Sequence, residues 1–257
     1  MIKKIKKKLT LRNFLIIILI AIFITAASKI SFFFIDLHTN AKSTKNLIDN
    51  VYAIEIDENT KEEKIKIDFS KLLKINRDTV GWIYGNNGKI NYPIVQTTTN
   101  TYYLDKSFDK KYNQAGSIFM DHRNRSSFDD KNVVLFGHSM LDKTMFGSLN
   151  DIWKKDFFTN KDNAIIKIVD ANNNINEYEI FSYYTITKEE YYIKTDFLSD
   201  DDFTTFLDTI KKRSIRNFNV SLAKDDRILT LSTCSGTGGT NKRKVIHARK
   251  IRKIFNS

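Results

Sequence analysis

The sequence predicts a mainly β fold, either a barrel or a sandwich, behind an apolar N-terminal segment. Two observations lead to this prediction. From residue 80 onward, short runs of β-branched and aromatic residues are separated by turn residues. Ahead of them, residues 14–27 form an unbroken apolar run (FLIIILIAIFITAA) after a lysine-rich flank. A chain of 257 residues with 41% hydrophobic and 28% charged residues is long enough to bury a core.

The N-terminal segment predicts a membrane anchor. Residues 1–13 are a basic flank, and residues 14–35 are mainly apolar. With a helical rise of about 1.5 Å per residue, the second segment would span roughly 33 Å, enough to cross a bilayer. The basic flank predicts a cytoplasmic N-terminus. We therefore expect a single-pass cell-membrane protein, held in the lipid bilayer, with the rest of the chain on the extracellular face. The alternative is a signal peptide cleaved near Ser28.

Residues 36–78 predict an N-terminal helical segment. The spacing of apolar residues from Asp36 to about Asn59 is typical of one helix. A second, short helix is predicted over 68–76, because an aspartate begins the run and apolar residues recur every three to four positions.

Residues 79–257 predict the β domain, interrupted once by a helix. The predicted strands are 81–84, 90–95, 116–120, 132–136, 164–169, 177–187, 227–233 and 244–251. The helix is predicted over 199–213, where Ser199 can cap the first turn. Acids fill that turn, bases fill the last turn, and four apolar residues share one face.

Charge and cysteine content exclude several classes of function. The net charge is +12, but part of it lies in the basic flank and the other cations are interspersed with acids. No basic surface interleaved with aromatics is predicted, so we expect no nucleic-acid partner. A single cysteine excludes an intrachain disulfide and a cysteine-rich zinc site. Because the histidines are scattered and no acids have calcium-loop spacing, we predict no metal and no cofactor.

The cysteine is the first candidate for chemistry. Cys234 ends a predicted strand, and the loop after it leads to the cations of 242–244. Neighbouring cations favour the thiolate, which is the nucleophilic form of a cysteine. The alternative is a buried free thiol at a strand end, which is a common structural feature.

A nucleophilic thiol needs a basic partner, and the chain has four histidines. His138 is the first choice, because it follows a predicted strand and so mirrors the position of Cys234. His38 lies in the membrane-proximal segment, and His122 lies in a polar loop. His247 alternates within the last predicted strand, at a position that could be on the surface.

These motifs resemble the sortases, which are cysteine transpeptidases of Gram-positive cell surfaces. The resemblance rests on residues 132–140 (NVVLFGHSM), on residues 230–234 (TLSTC) and on an arginine downstream of the cysteine. Further stretches are similar to class B sortases in particular. They are 91–96 (NYPIVQ), 116–121 (GSIFMD) with Arg123 and Asn124, 145–149 (MFGSL) and 192–197 (YIKTDF). The similarity covers about residues 75–255.

The resemblance implies a closed sortase-type barrel of about eight strands. N-terminal helices precede it, and one long helix is inserted before the strand that carries Cys234. Residues 79–257 would then be the catalytic domain. The resemblance makes Cys234 the nucleophile, His138 the general acid and base, and Arg243 the residue that stabilises the substrate and the oxyanion. No Asp or Glu lies between Cys234 and Arg243, so the sequence favours a Cys–His–Arg set.

The resemblance also implies a groove that binds the substrate peptide. The predicted groove residues are Asn100, Leu104, Tyr192, Ile193 and Ser232. For each of them, ordinary barrel packing or simple surface exposure is the alternative interpretation. Phe136 departs from the family pattern, because class B relatives often have tyrosine at this position.

The implied function is that of a membrane-anchored transpeptidase. It would cleave an NPQTN-like sorting signal near the C-terminus of secreted proteins and form a thioester at Cys234. It would then transfer the acyl group to a peptidoglycan amine. The alternative within the family is a pilin-polymerising sortase, whose acceptor is a lysine on another subunit. A catalytically idle wall-binding module is the alternative outside the enzymes, and the intact set of Cys, His and Arg argues against it.

Overall fold

A computed structural model describes residues 10–56, 63–187, 189–234 and 241–255, apart from the side chains of 36–38, 56, 63, 64 and 234. The strands are β1 (Tyr52–Ile56), β2 (Glu63–Ile67), β3 (Thr79–Gly85), β4 (Ile90–Val95), β5 (Ile118–Met120), β6 (Asn132–Gly137), β7 (Ile165–Asp170), β8 (Ile175–Thr187), β9 (Ile228–Cys234) and β10 (Lys242–Ile254). The helices are α1 (Leu11–Val51), α2 (Phe69–Ile75) and α3 (Asp200–Lys212).

A closed barrel of eight strands confirms the predicted fold class. Its strand order is β10-β8-β7-β3-β4-β5-β6-β9, and β9 pairs with β10 to close the ring. Most neighbours are antiparallel, but β4 pairs with β5 and β6 pairs with β9 in parallel. Alternate residues of each strand face the interior, where Val133, Leu135, Leu229 and Leu231 join one apolar core.

The N-terminal part of the chain differs from the prediction. Helix α1 ends at Val51, whereas the sequence predicts a helix that continues to about Asn59. The next residues, Tyr52–Ile56, form β1 and pair antiparallel with β2. Apolar spacing misled the prediction, because Val51 is buried with Ile65, Ile67 and Trp82 in a satellite core whereas Ile54 is exposed. The backbone of β1 is paired because β2 lies next to it in this hairpin.

The chain divides into two compact units, and the boundary between them lies within helix α1. The first unit comprises residues 1–42 and the second comprises residues 43–257. The helix is long and apolar enough to cross a membrane, although a signal sequence would meet the same criterion. The predicted boundaries at residues 13, 35 and 78 stay predictions.

The two shorter helices begin where the sequence places their caps. The Asp68 side chain accepts a hydrogen bond from the Lys71 N–H, and the Ser199 hydroxyl accepts one from the Asp202 N–H. The apolar face of α3 packs against the outside of the barrel, on Phe181 and Ile228. Helix α3 therefore covers the sheet next to the strand that ends at Cys234.

Candidate active site

The ends of three strands bring the predicted catalytic residues to one end of the barrel. Strand β9 lies between β6 and β10, and Cys234 is the backbone partner of Arg243. In the parallel pair, Gly137 is opposite Thr233. His138 follows Gly137, so continuing this register places it level with Cys234. The topology thus juxtaposes Cys234, His138 and Arg243, although they are distant in the sequence.

His138 is held by a backbone carbonyl. Its Nε2 lies 2.7 Å from the Leu104 carbonyl oxygen, at the end of the short 3-10 helix Tyr102–Leu104. A carbonyl can only accept a hydrogen bond, so Nε2 carries a proton in this arrangement. The contact fixes the tautomer and the plane of a half-buried imidazole.

Gly116 lies directly beneath this contact. Its backbone has φ +59°, which favours glycine. A Cβ at this position would lie 2.6 Å from the Tyr103 carbonyl oxygen and 2.7 Å from the Leu104 carbonyl oxygen. It would also lie 3.1 Å from the imidazole Cδ2 of His138. Glycine is therefore required for the 3-10 helix to approach His138 this closely.

Arg243 begins the half-buried part of β10. Its Nη1 donates to the Lys242 carbonyl oxygen at 3.0 Å. A guanidinium keeps its proton at working pH, so its remaining N–H groups act as fixed donors. The next residue, Lys244, donates to the Asn150 side chain, which in turn donates to the Ser139 hydroxyl. This chain ties the start of β10 to the residue that follows His138.

The predicted groove residues differ in exposure. Leu104 is 42% exposed, and Ile193 is half-buried. By contrast, Tyr192 and Ser232 are buried, and their hydroxyl oxygens lie 3.0 Å apart. Leu104 and Ile193 are therefore accessible at the surface, whereas the Tyr192–Ser232 pair lies beneath it. Contact of any of them with a peptide stays a prediction.

Phe136 packs within a small apolar cluster instead of presenting a hydroxyl. Its ring centroid lies 5.2 Å from that of Phe119, and Val95 and Tyr103 complete the cluster. A hydroxyl-mediated substrate contact at this position is therefore absent.

Sequence reasoning missed a buried carboxylate beside the groove. Asp121 follows β5 and is 0% exposed, and it accepts hydrogen bonds from Arg123 Nε and Nη2, both at 2.8 Å. Asn100 Nδ2 donates to the same carboxylate at 3.0 Å. Burial disfavours the charged form, but these donors outweigh it and lower the pKa of Asp121. The spacing Asp–x–Arg after a strand was the available signal.

His247 is buried, so the expectation of a possible surface position was wrong. Its Nδ1 lies 2.8 Å from the Thr230 hydroxyl and its Nε2 lies 2.9 Å from the Tyr184 hydroxyl. Because the Thr230 hydroxyl donates to Asn132 Oδ1, it accepts from Nδ1–H, and Nε2 accepts from Tyr184. Burial lowers the pKa of His247 to about 3, and Arg213 contributes to the shift. In the neutral imidazole, both ring nitrogens of His247 therefore have a hydrogen-bond partner.

Among the residues that the structure describes, no three His, Cys, Asp or Glu side chains lie together in a way that could hold a metal ion.

Comparison with known proteins identifies a family and several solved relatives. The family model for the sortase domain matches residues 86–251. Sortase B of Staphylococcus aureus is 37% identical over 195 residues, which is 75% of this chain and 78% of that protein. Sortase B of Listeria monocytogenes is 33% identical over 249 residues, covering 96% of this chain and 98% of that protein.

Solved structures give the same result. Sortase B of Bacillus anthracis in complex with AAEK1 has a TM-score of 0.73 at 34% identity and covers 85% of this chain and 99% of the other. A complex of Staphylococcus aureus sortase B with substrate has a TM-score of 0.65 at 40% identity and covers 72% of this chain and 84% of the other.

Proposed function

Because this chain belongs to the sortase family, in its class B, we propose that Cys234, His138 and Arg243 carry out its transpeptidation. The chain is a cysteine transpeptidase of the cell wall, and the proposal assigns the chemistry to these residues. One observation carries the assignment. Parallel pairing of β6 with β9 and antiparallel pairing of β9 with β10 set all three at the same end of the barrel.

In the first half-reaction, the Cys234 sulfur attacks the carbonyl carbon of the scissile peptide bond. A C–S bond forms and the C–N bond breaks, which leaves a thioester. The leaving amine needs a proton, and the imidazolium of His138 supplies it. The Leu104 carbonyl keeps the imidazole in one orientation during this transfer.

In the second half-reaction, an acceptor amine attacks the thioester. His138, now neutral, takes the proton of the amine, and the thiolate of Cys234 leaves as the new amide forms. Both steps pass through a tetrahedral oxyanion. Arg243, the backbone partner of Cys234, is the fixed positive charge suited to stabilise it.

The substrate in this proposal is an NPQTN-like sorting signal near the C-terminus of secreted proteins. The 40% identity to the Staphylococcus aureus sortase B that was solved with substrate supports a peptide partner. In this proposal the peptide lies beside His138, against the exposed Leu104 and the half-buried Ile193. The acceptor is a peptidoglycan amine. A lysine of another pilin subunit is the alternative acceptor, and nothing in the described residues favours it.

The proposal includes anchoring in the cell membrane through residues 14–35. The apolar part of α1 and the basic residues ahead of it support this placement. The N-terminus would remain in the cytoplasm, and the barrel would act at the outer face.

Turnover of a cognate peptide by site variants tests the assignment. Cys234→Ala should abolish cleavage and thioester formation, since no other thiol exists in the chain. His138→Ala should be nearly as severe, because the leaving amine then lacks a proton donor. Arg243→Lys should lower the rate by about 10²–10³, because a point charge does not replace a planar fork of donors.

His122→Ala is the control for the chemistry, because the exposed His122 side chain lies outside the three strand ends and contacts Asp121, at 3.6 Å, instead of one of the proposed catalytic residues. It should keep most of the activity, with folding of every variant checked by circular dichroism. A folded His138→Ala enzyme that turned over at the wild-type rate would show that the assignment is wrong.

A further inference from the structure

We propose that Asp121 and Arg123 are positioning residues that hold the two walls of the peptide groove at a fixed separation, an inference that rests on the proposed function. In the proposed groove, one wall contains Asn100 and the other contains Ile193. The Asp121 side chain accepts a hydrogen bond from the Asn100 side chain, and the Arg123 side chain donates one to the Ile193 carbonyl oxygen. We call this pair the groove bridge.

The bridge has a rigid centre. Asp121 is fully buried at the end of β5, and its carboxylate accepts from the Arg123 backbone N–H at 3.0 Å as well as from the guanidinium. A buried carboxylate is stable only when its oxygens are satisfied in this way. The Asp121 carbonyl is also engaged, because Gln96 Nε2 donates to it at 2.9 Å. Asp121 therefore has little freedom to move relative to the barrel.

The first wall is attached through Asn100. Its Nδ2 donates to Asp121 Oδ2 at 3.0 Å, and its Oδ1 accepts from the His122 backbone N–H at 2.9 Å. Both ends of the amide are thus used to fix the segment that leads into the 3-10 helix carrying Leu104. The family resemblance assigns Asn100 to the groove, and the structure shows that its amide is already engaged by the bridge.

The second wall is attached through a backbone carbonyl. Arg123 Nη2 donates to the Ile193 carbonyl oxygen at 2.8 Å while it also contacts Asp121 Oδ2 at 2.8 Å. Glu190 and Asp196, on the same segment, attract the guanidinium as well. The segment has only one short 3-10 helix, Tyr191–Ile193, to stabilise it internally. Its position therefore depends on contacts with neighbours such as Arg123.

An arginine is needed for this geometry. Its planar fork presents several donors in fixed directions, so one group can bind a carboxylate and a carbonyl together. A lysine at the same position would keep the charge beside Asp121 but would lose the second contact. Loss of the bridge should weaken peptide binding and leave the chemistry at Cys234 intact, because preorganised walls reduce the cost of ordering the site.

The test compares Arg123→Lys with wild type in the full chain. We expect KM for the sorting peptide to rise about tenfold, which corresponds to the loss of one charge-assisted hydrogen bond. We expect kcat to stay within about twofold of the wild-type value. Alkylation of Cys234 by iodoacetamide should proceed at the wild-type rate, since this small reagent needs no groove. Arg123→Gln is a second variant should the lysine enzyme fail to fold.

Arg125→Lys is the matched control. Arg125 forms a similar ion pair with Asp130 in the same loop, at 2.7 Å, but Asp130 lies in neither wall. Its KM should stay at the wild-type value. Hydrogen exchange gives a readout that needs no substrate: amides of residues 191–195 should exchange faster in Arg123→Lys and not in Arg125→Lys.

The outcomes distinguish a failure of the groove bridge from a failure of the proposed function. If wild type turns over no sorting peptide, the proposed function fails, and the exchange data alone decide the bridge. Unchanged exchange at residues 191–195 would overturn the bridge. So would an unchanged KM in a wild-type-active background, an equal rise in KM for Arg125→Lys, or a parallel loss of iodoacetamide reactivity.

Discussion

At the scale of single residues, Gly116 lies against the contact between His138 and the Leu104 carbonyl although it has no functional group. Gly116→Ala would push the Tyr103 and Leu104 carbonyls away from their present positions and strain a backbone at positive φ. Because the Leu104 carbonyl orients His138, we expect kcat to fall by at least about tenfold. Peptide turnover by the purified variant measures this, and a thermal unfolding scan shows whether the barrel persists. A well-folded variant with wild-type kcat would contradict the expectation.

The catalytic candidates could be predicted from sequence because their chemistry lies in their residue types. A lone thiol, a histidine after a strand and an arginine after a loop are visible in the sequence. The residues that position them are not, because Leu104 acts through its carbonyl and Gly116 acts through the absence of a side chain. Asp121 lies in a stretch similar to class B sortases, but its burial and its hydrogen bonds are visible only in the structure.

At the scale of elements, His247 joins neighbouring strands through hydrogen bonds that require a neutral ring. Its folded pKa of about 3 is below the value of about 6.5 expected for an unfolded chain. A lowered pKa contributes stability that is complete above pH 6.5 and is lost as the pH falls from 6.5 towards 3. We therefore expect the stability difference between wild type and His247→Gln to shrink by about 2 kcal/mol between pH 7 and pH 5.

Urea denaturation at the two pH values measures this difference. Ser199→Ala is the control, because loss of the α3 cap should lower stability by about 1 kcal/mol at both pH values. A difference between wild type and His247→Gln that stayed constant with pH would contradict a buried, neutral His247.

The spacing of apolar residues correctly predicted those strands and helices in which apolar side chains occupy one face. The eight barrel strands and α3 have alternating or helical apolar spacing, and each lies close to its predicted range. The β1–β2 hairpin escaped prediction although its two strands, Tyr52–Ile56 and Glu63–Ile67, are close in the sequence. The helix-like spacing of Val51 and Ile54 was the stronger local signal, although Ile54 is exposed.

At the scale of the whole molecule, the proposed anchor would decide where the enzyme acts. We expect the expressed full chain to sediment with membranes and to resist extraction at alkaline pH, because residues 14–35 would lie in the bilayer core. N-terminal sequencing should find the segment intact, and a variant that lacks residues 1–35 should be soluble. A mature N-terminus near Ser28 would show a cleaved signal peptide instead.

The parallel pairing of β6 with β9 also bears on how the chain folds. Asn132 and Thr230, 98 residues apart, are hydrogen-bonded across this pair. Contacts of such sequence separation carry a high loop-closure entropy and slow the folding of β-rich domains. The pairing that sets Cys234 level with His138 therefore depends on one of the most distant contacts in the chain. In an incompletely folded chain, Cys234 would lack its proposed partners His138 and Arg243, so we expect the proposed acylation only in molecules whose barrel has closed.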